Sequence, residues 1–257
     1  MNITRCDFEL EPHRALPLNE VQLWRVDFDA LHEQELRWHK ILSADELARA
    51  SRFRFAIDRQ RFVVSRGILR TILASYLAID PKGLSFSYSS REKPSLAPSY
   101  FDSGVTFNIS HSGGVVLLAF TRGREIGIDV EQVRSGFEVE AIARRFFSAH
   151  EQQQLAELAE EKRFDAFFRC WTRKEAYIKA TGDGLSLPLH EFDVAVAEDS
   201  GDALMATRPD GDEARKWLLR DVPAGQGYVA ALCVRGRDWS LKDWTGESAS
   251  DSPATAT

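Results

Sequence analysis

With 257 residues, 44% of them hydrophobic, the chain can build one large or two small domains around a real core, and its formal charge of −6 argues against nonspecific attraction to nucleic acid. It contains no run of eighteen apolar residues, and Arg5, Asp7, Glu9 and Glu11 stand where a secretory leader needs a basic flank and an apolar stretch, so no membrane span and a cytoplasmic location are predicted. Cys6, Cys170 and Cys233 are odd in number, far apart and free of C-x-x-C spacing, which predicts reduced thiols rather than a zinc site or a disulfide framework.

In chain order, the first signal is Ser43-Ala-Asp-Glu46, a capping box that opens a helix reaching the mid-fifties. Asp58 opens a second helix carrying Phe62, Leu69, Ile72, Leu73 and Tyr76 at helical spacing, and Pro81 and Gly83 stop it. Between residues 49 and 70, Arg49, Arg52, Arg54, Arg59, Arg61, Arg66 and Arg70 are set against the single acid Asp58, a basic surface on an acidic protein. Arginine forks favour bidentate contacts to phosphate; the plainer alternative is a solvated arginine-rich helix. Short strands are predicted at 84–88, 105–109 and 115–120, with an irregular loop at 91–98 between the first two. Ser110 and His111 fall at the end of the middle strand, before the Gly113-Gly114 bend. Neighbours on a strand face opposite ways, which suits ligand binding better than a direct Ser-His proton relay; the alternative for His111 is a histidine satisfied by backbone groups at a turn.

Arg122-Gly123 is the expected hinge between an N-terminal part, residues 1–122, and a C-terminal part, residues 123–243. Ile126-Gly-Ile-Asp-Val-Glu131 reads as a buried strand in which Ile126, Ile128 and Val130 share one face and Gly127, Asp129 and Glu131 the other. Asp129 and Glu131 are then about 7 Å apart along the strand, close enough to lean onto one small cation, and Gly127 leaves the third position of that face empty. Hard oxygen ligands without a His or Cys cluster suit Mg²⁺ or Mn²⁺, ions that borrow oxygens from phosphates; taken alone, the pair also fits a solvated strand face. Helices follow at about 138–147, 149–161 and 164–180. In the last, Trp171, Lys174, Glu175, Ile178 and Lys179 fall within one arc of roughly 140°, so charges share a face with apolar groups as in a half-buried polar site. Glu175 is the candidate third metal ligand or general base; the alternative is an i,i+4 surface pair with Lys179. Strands near 192–197, 217–221 and 228–234 close the pattern, so a long helix with a small sheet occurs twice, and residues 244–257 read as a disordered tail.

Several of these segments match one family. Phe107-Asn-Ile-Ser-His-Ser-Gly113, Ile126-Gly-Ile-Asp-Val-Glu131, Arg145-Phe-Phe-Ser148 with Glu151, and Trp171 through Lys179 followed by Gly184-Leu-Ser-Leu-Pro188 resemble, in order and spacing, the Sfp-type 4'-phosphopantetheinyl transferases of the holo-acyl-carrier-protein synthase superfamily. The resemblance runs from about Ser43 to Val196 and extends to the strand near 228–234. It implies an α+β fold of two similar subdomains in a pseudo-twofold arrangement, each a long helix on a small, mostly antiparallel sheet. It further implies a monomeric, Mg²⁺-dependent enzyme that moves the 4'-phosphopantetheine arm of coenzyme A onto a serine of an apo acyl or peptidyl carrier protein and releases adenosine 3',5'-bisphosphate. On that resemblance Asp129, Glu131 and Glu175 hold the metal, and Glu175 takes the serine proton directly or through a metal-bound water. Lys174 and Lys179 flank the diphosphate, while Arg49, Arg61, Lys93, Ser110 and His111 bind coenzyme A, with Arg61 and His111 toward its 3'-phosphate and Gly113 easing the ligand's approach. Phe137, Phe146 and Phe147 lie where the family meets its carrier protein and are equally candidates for core.

Glu46 departs from the pattern, since the surfactin-activating enzymes carry a further base there; its alternative role is helix capping, and Arg52 could supply the missing charge. Glu151 matches a family acid, but Ser148-Ala-His-Glu151 is also a capping box and the structural role is favoured. Trp171 is expected to pack beneath the lysines, the alternative being direct stacking on the ligand. Two other functions compete: an Mg²⁺-dependent phosphodiesterase or nuclease, because acids plus lysine describe such sites too, and a non-catalytic binder of carrier protein or coenzyme A. The acidic net charge weighs against the first, and the intact acids and lysines against the second.

Overall fold

The structure is a computed structural model that describes residues 14–28, 35–89, 93–136, 138–182, 186–197 and 201–244. Phe137, Gly184 and residues 245–257 of the expected tail lie outside them. The first half runs β1 (Glu20–Asp27), α1 (Glu35–His39), α2 (Ala44–Ala50), α3 (Ala56–Leu77), β2 (Phe86–Tyr88), β3 (Pro94–Leu96), β4 (Val105–Ser112) and β5 (Val115–Arg122). The second runs β6 (Ile126–Gln132), α4 (Val139–Phe146), α5 (Ala149–Glu157), α6 (Glu160–Thr181), β7 (Phe192–Val194), β8 (Leu204–Thr207), β9 (Trp217–Asp221), β10 (Tyr228–Arg235) and β11 (Ser240–Asp243).

Local chemistry accounts for most boundaries. Ser43 and Glu46 form the expected capping box of α2, which ends at Ala50 rather than in the mid-fifties, and the extended Phe55 caps a new helix from Ala56. Ser148 and Glu151 cap α5 in the same way. The loop expected at 91–98 holds β3, which pairs with β2. Strand β4 runs on to Ser112, past the expected end, and Gly113, at a φ of 55°, makes the turn into β5.

The layers follow from side-chain alternation. One sheet has the order β11-β1-β5-β4 and the other β6-β10-β9. Trp24, Val26, Val116, Leu118 and Phe120 point from the first sheet to Val64, Ile68, Leu69 and Ile72 of α3. Their strand neighbours Val21, Leu23, Val115, Leu117 and Ala119 point the other way and meet Ile128, Val130, Ala230 and Leu232 of the second sheet. Ala231 and Cys233 then face α6 through Cys170 and Tyr177. The order is helix, sheet, sheet, helix, with α3 and α6 each 22 residues long, as the two-subdomain α+β reading requires. Neither β1 nor β11 is among the strands expected from the sequence, and β11 pairs in parallel with β1, so the last strand of the second half completes the sheet of the first. Trp244, assigned to the tail, is stacked on Trp24 with centroids 5.4 Å apart.

Candidate active site

The two halves meet along β4 and β6, which run in parallel but share no backbone ladder. Side chains join them instead. Asn108 Oδ1 accepts the Ile128 N–H at 2.9 Å, Ser110 Oγ the Val130 N–H at 3.4 Å and Ser112 Oγ the Gln132 N–H at 3.1 Å. Alternate residues of one strand therefore satisfy alternate backbone groups of the other, in constant register, and the buried polar edge of β6 is not left unpaired.

The same register sets the acids. Ile126, Ile128 and Val130 enter the inter-sheet core, which turns Gly127, Asp129 and Glu131 toward α6. Position 127 is not open as the sequence suggested: a Cβ there would lie 2.1 Å from the Ala176 carbonyl and 2.3 Å from the Ala180 nitrogen, so only glycine lets the helix backbone rest on the strand. That close approach brings Glu175 and Lys179 beside Asp129. Lys179 Nζ donates to Asp129 Oδ1 at 2.6 Å and to Ser110 Oγ at 3.0 Å, and Ser110 Oγ donates to Asp129 Oδ1 at 2.9 Å. Ser112 Oγ donates to Glu131 Oε2 at 2.7 Å. Burial raises the Glu175 carboxyl to about 7, helped by the negative charges of Asp129 and Glu131 and opposed by Lys179. Burial also raises Glu131, against the lowering effect of its Ser112 hydrogen bond.

The basic side of the site is built from the first half. His111 sits on the opposite face of β4 from Ser110, and desolvation, then Lys179 and Arg61, push its imidazole below the usual value. Arg61 on α3 lies 5.5 Å above the Phe28 ring with its Nε buried and unpartnered. Lys93 reaches across the seam and donates to the Lys179 carbonyl, its ammonium lowered by burial and by Lys179. Arg49 on α2 is further out, 5.7 Å over Phe62 and beside Arg66. Glu46, at the departing position, is buried: it accepts Arg70 Nε at 2.6 Å and lies 3.5 Å from Arg66, so it ties α2 to α3 rather than facing a ligand.

Lys174 is turned away from Asp129 and Lys179. It shares the sequence arc with Lys179 but stands at the arc's other edge, and its fully buried ammonium goes to Glu151 at 2.7 Å and to the carbonyls of Leu189 and Phe192. Glu151, also fully buried, accepts from the Ser148 and Val194 backbone N–H groups, the structural role that the capping box favours. Arg173 next to it makes a paired contact with Asp221 at 2.8 and 2.6 Å. These anchors fix the roll of α6 and so aim Glu175 and Lys179. Trp171 packs on Phe146 and Phe167, and Phe147 stacks on Phe167 in the core. A Cβ at Gly113 would lie 2.5 Å from Gln132 Oε1 and 2.7 Å from the Tyr228 hydroxyl. Asn108 and Ser112 had no assigned role in the sequence reading; their signal is three short polar side chains at alternate positions of one strand.

Among the described residues, no three His, Cys, Asp or Glu side chains are gathered closely enough to grip an ion as they stand. The donor chemistry nonetheless fits a hard cation. Asp129, Glu131 and Glu175 are all carboxylates, the first two near enough to raise the third, and Asp129 Oδ2 is buried without a hydrogen-bond partner, an orphan that an ion would satisfy.

A fold of two helix-on-sheet halves with acids, lysines and arginines at their junction defines a class, and sequence comparison supplies it. The 4'-phosphopantetheinyl transferase superfamily profile matches residues 125–233, and the profile of the 4'-phosphopantetheinyl transferase N-terminal part matches residues 28–122. The 4'-phosphopantetheinyl transferase HetI of Nostoc sp. is 41% identical over 91% of this chain and 95% of its own length. A 4'-phosphopantetheinyl transferase of Bacillus subtilis is 34% identical over 80% and 88%, and Sfp of Bacillus subtilis 30% identical over 83% and 91%. The solved holo-[acyl-carrier-protein] synthase of Thermotoga maritima is 22% identical, covers 43% of this chain and 62% of that one, and has a TM-score of 0.34. The chain belongs to the 4'-phosphopantetheinyl transferase superfamily and is a transferase of Sfp type. The phosphodiesterase and non-catalytic readings fall with that assignment.

Proposed function

We infer that the chain transfers the 4'-phosphopantetheine arm of coenzyme A to a serine of an apo acyl or peptidyl carrier protein at the junction of its two halves. The observation that carries this reading is the meeting of Asp129, Glu175 and Lys179 across the seam with Ser110 of the first half. The serine hydroxyl attacks the phosphorus that bears the pantetheine arm. A new P–O bond forms, the bond to the second phosphate breaks, and adenosine 3',5'-bisphosphate leaves.

Asp129, Glu131 and Glu175 would hold Mg²⁺, or Mn²⁺ in its place, which when bound supplies positive charge to the diphosphate oxygens. Lys179 adds a second positive charge beside the leaving phosphate. Glu175 takes the serine proton, directly or through a water; burial holds its carboxyl at about 7 in the metal-free chain, and a bound cation would lower that basicity. Arg61 and His111 bind the 3'-phosphate end, Arg61 through a buried Nε that has no protein partner, while Lys93, Ser110 and Arg49 hold the rest of the nucleotide. Lys174 takes no part in the chemistry.

No described helix is long and apolar enough to cross a membrane; we place the enzyme in the cytoplasm, working as a monomer because one chain supplies both halves of the site. The test is incubation with coenzyme A, Mg²⁺ and a panel of apo carrier proteins, read by intact mass. A phosphopantetheine adduct on the carrier serine, lost on adding a chelator and regained with Mg²⁺, is expected. Transfer that survives exhaustive chelation would remove the metal from this reading.

A further inference from the structure

Ser110 and Ser112 make the same pair of contacts two residues apart. Each hydroxyl accepts a backbone N–H of β6, from Val130 and from Gln132, and donates to the carboxylate of the residue just before it, Asp129 and Glu131. The constant offset puts one serine of the first half on each strand acid of the second. Asn108 extends the row to Ile128, where the strand carries no acid to orient. Each hydroxyl thus ties a carboxylate to the backbone of its own strand, so that the acid's rotamer is set from across the seam. A side chain with one donor hydrogen and two acceptor lone pairs, short enough to fit between two edge strands, is what such a bridge needs.

Glu131 depends on this more than Asp129 does. Asp129 is also held by Lys179, whereas Ser112 is the hydrogen-bonding partner of Glu131 that the geometry provides. We propose that Ser112 is a positioning residue that fixes the Glu131 carboxylate for a divalent cation, and that the side-chain row on β4 makes the two halves one site. This rests on the metal reading of Asp129, Glu131 and Glu175. It concerns a residue that touches neither coenzyme A nor the carrier serine.

The test is direct titration of Mn²⁺ by paramagnetic resonance on the full chain without coenzyme A, comparing the parent with Ser112→Ala, Ser112→Thr and Asp129→Asn. Outer contacts to a ligating carboxylate commonly govern affinity by about ten- to a hundred-fold, and that loss is expected for Ser112→Ala. Ser112→Thr, which keeps the hydroxyl and suits a strand, restores the parent affinity. Amide exchange at Gln132 speeds up in Ser112→Ala and not in Ser112→Thr, and the KM for coenzyme A at saturating Mg²⁺ is unchanged in both. Parent affinity in Ser112→Ala alongside lost binding in Asp129→Asn overturns the positioning role and leaves the metal reading standing. Equal weakening in Ser112→Ala and Ser112→Thr also overturns it, because the hydroxyl is then not the cause. If Asp129→Asn binds Mn²⁺ as the parent does, the metal reading itself fails.

Discussion

At the scale of single residues, the site is a balance of charges held close by burial. Asp129 has one oxygen shared between Lys179 and Ser110 and the other unpartnered, so Asp129→Asn leaves the packing in place and removes only charge. Removing one preorganised electrostatic group of this kind costs on the order of 10²–10³ in turnover, and that loss is expected in the carrier assay with the melting temperature little changed. Glu175 carries a stability signature as well. Its carboxyl stands at about 7 in the folded chain against an ordinary 4.5, so the native state binds extra protons between those values and stability falls as pH rises through them. Glu175→Gln removes that cost: in metal-free urea titrations the variant is more stable than the parent at alkaline pH by about 1–3 kcal/mol, and the difference fades below the ordinary carboxylate range. Equal stability at both pH extremes would contradict the perturbed carboxyl. The acids and Lys179 were legible in the sequence because strand alternation fixes Asp129 and Glu131, and a helical arc fixes Glu175. Lys174 was not, because an arc of roughly 140° spans two environments and only the tertiary packing of Glu151 and Phe192 decides which side Lys174 takes.

At the scale of elements, α6 is the part that must not move. It rests on β6 at Gly127, and it is pinned by Lys174 to Glu151 and by Arg173 to Asp221. Gly127→Ala puts a carbon inside the helix backbone's radius, so the helix must lift; a loss of about 2–4 kcal/mol in urea unfolding together with loss of transfer is expected. The buried pair behaves differently. Lys174→Met strands the Glu151 carboxylate and should cost about 3–5 kcal/mol, while the variant that still folds keeps a KM for coenzyme A near the parent value. A raised KM without lost stability would instead return Lys174 to the ligand. Capping boxes made the starts of α2 and α5 readable. The extent of β4 was hidden, because Ser110-His-Ser112 before two glycines has the composition of a turn, and it stays in strand form by pairing with β5 and bonding to β6 through side chains.

At the scale of the whole molecule, the halves share a core and the second lends a strand to the first, so neither is an independent unit. β11 pairs with β1, and Trp244 stacks on Trp24 under Arg14, whose guanidinium lies 4.2 Å from the Trp244 ring centroid. Trp244→Ala should therefore cost about 1–2 kcal/mol in unfolding experiments and leave turnover near the parent value, since the stack is far from the acids in the layer order. This closure was not legible in the sequence: Ser240–Asp243 is four residues of mixed polarity, and its partner lies at the other end of the chain. β1 escaped notice because Val21, Leu23, Trp24 and Val26 are apolar on both faces, which blurs the period-two signal of a strand covered on one side only. The two long helices and most of the other strands were legible because their periodicity is local. The account as a whole stands on acids from β6 and α6 meeting a diphosphate at the seam. A crystal structure of the chain with coenzyme A and Mn²⁺, located by its anomalous signal, tests that most directly. The account predicts the ion against Asp129 Oδ2 and Glu175 with the diphosphate beside Lys179 and the 3'-phosphate at Arg61 and His111, and it is contradicted by an ion or a nucleotide bound away from the junction of β4, β6 and α6.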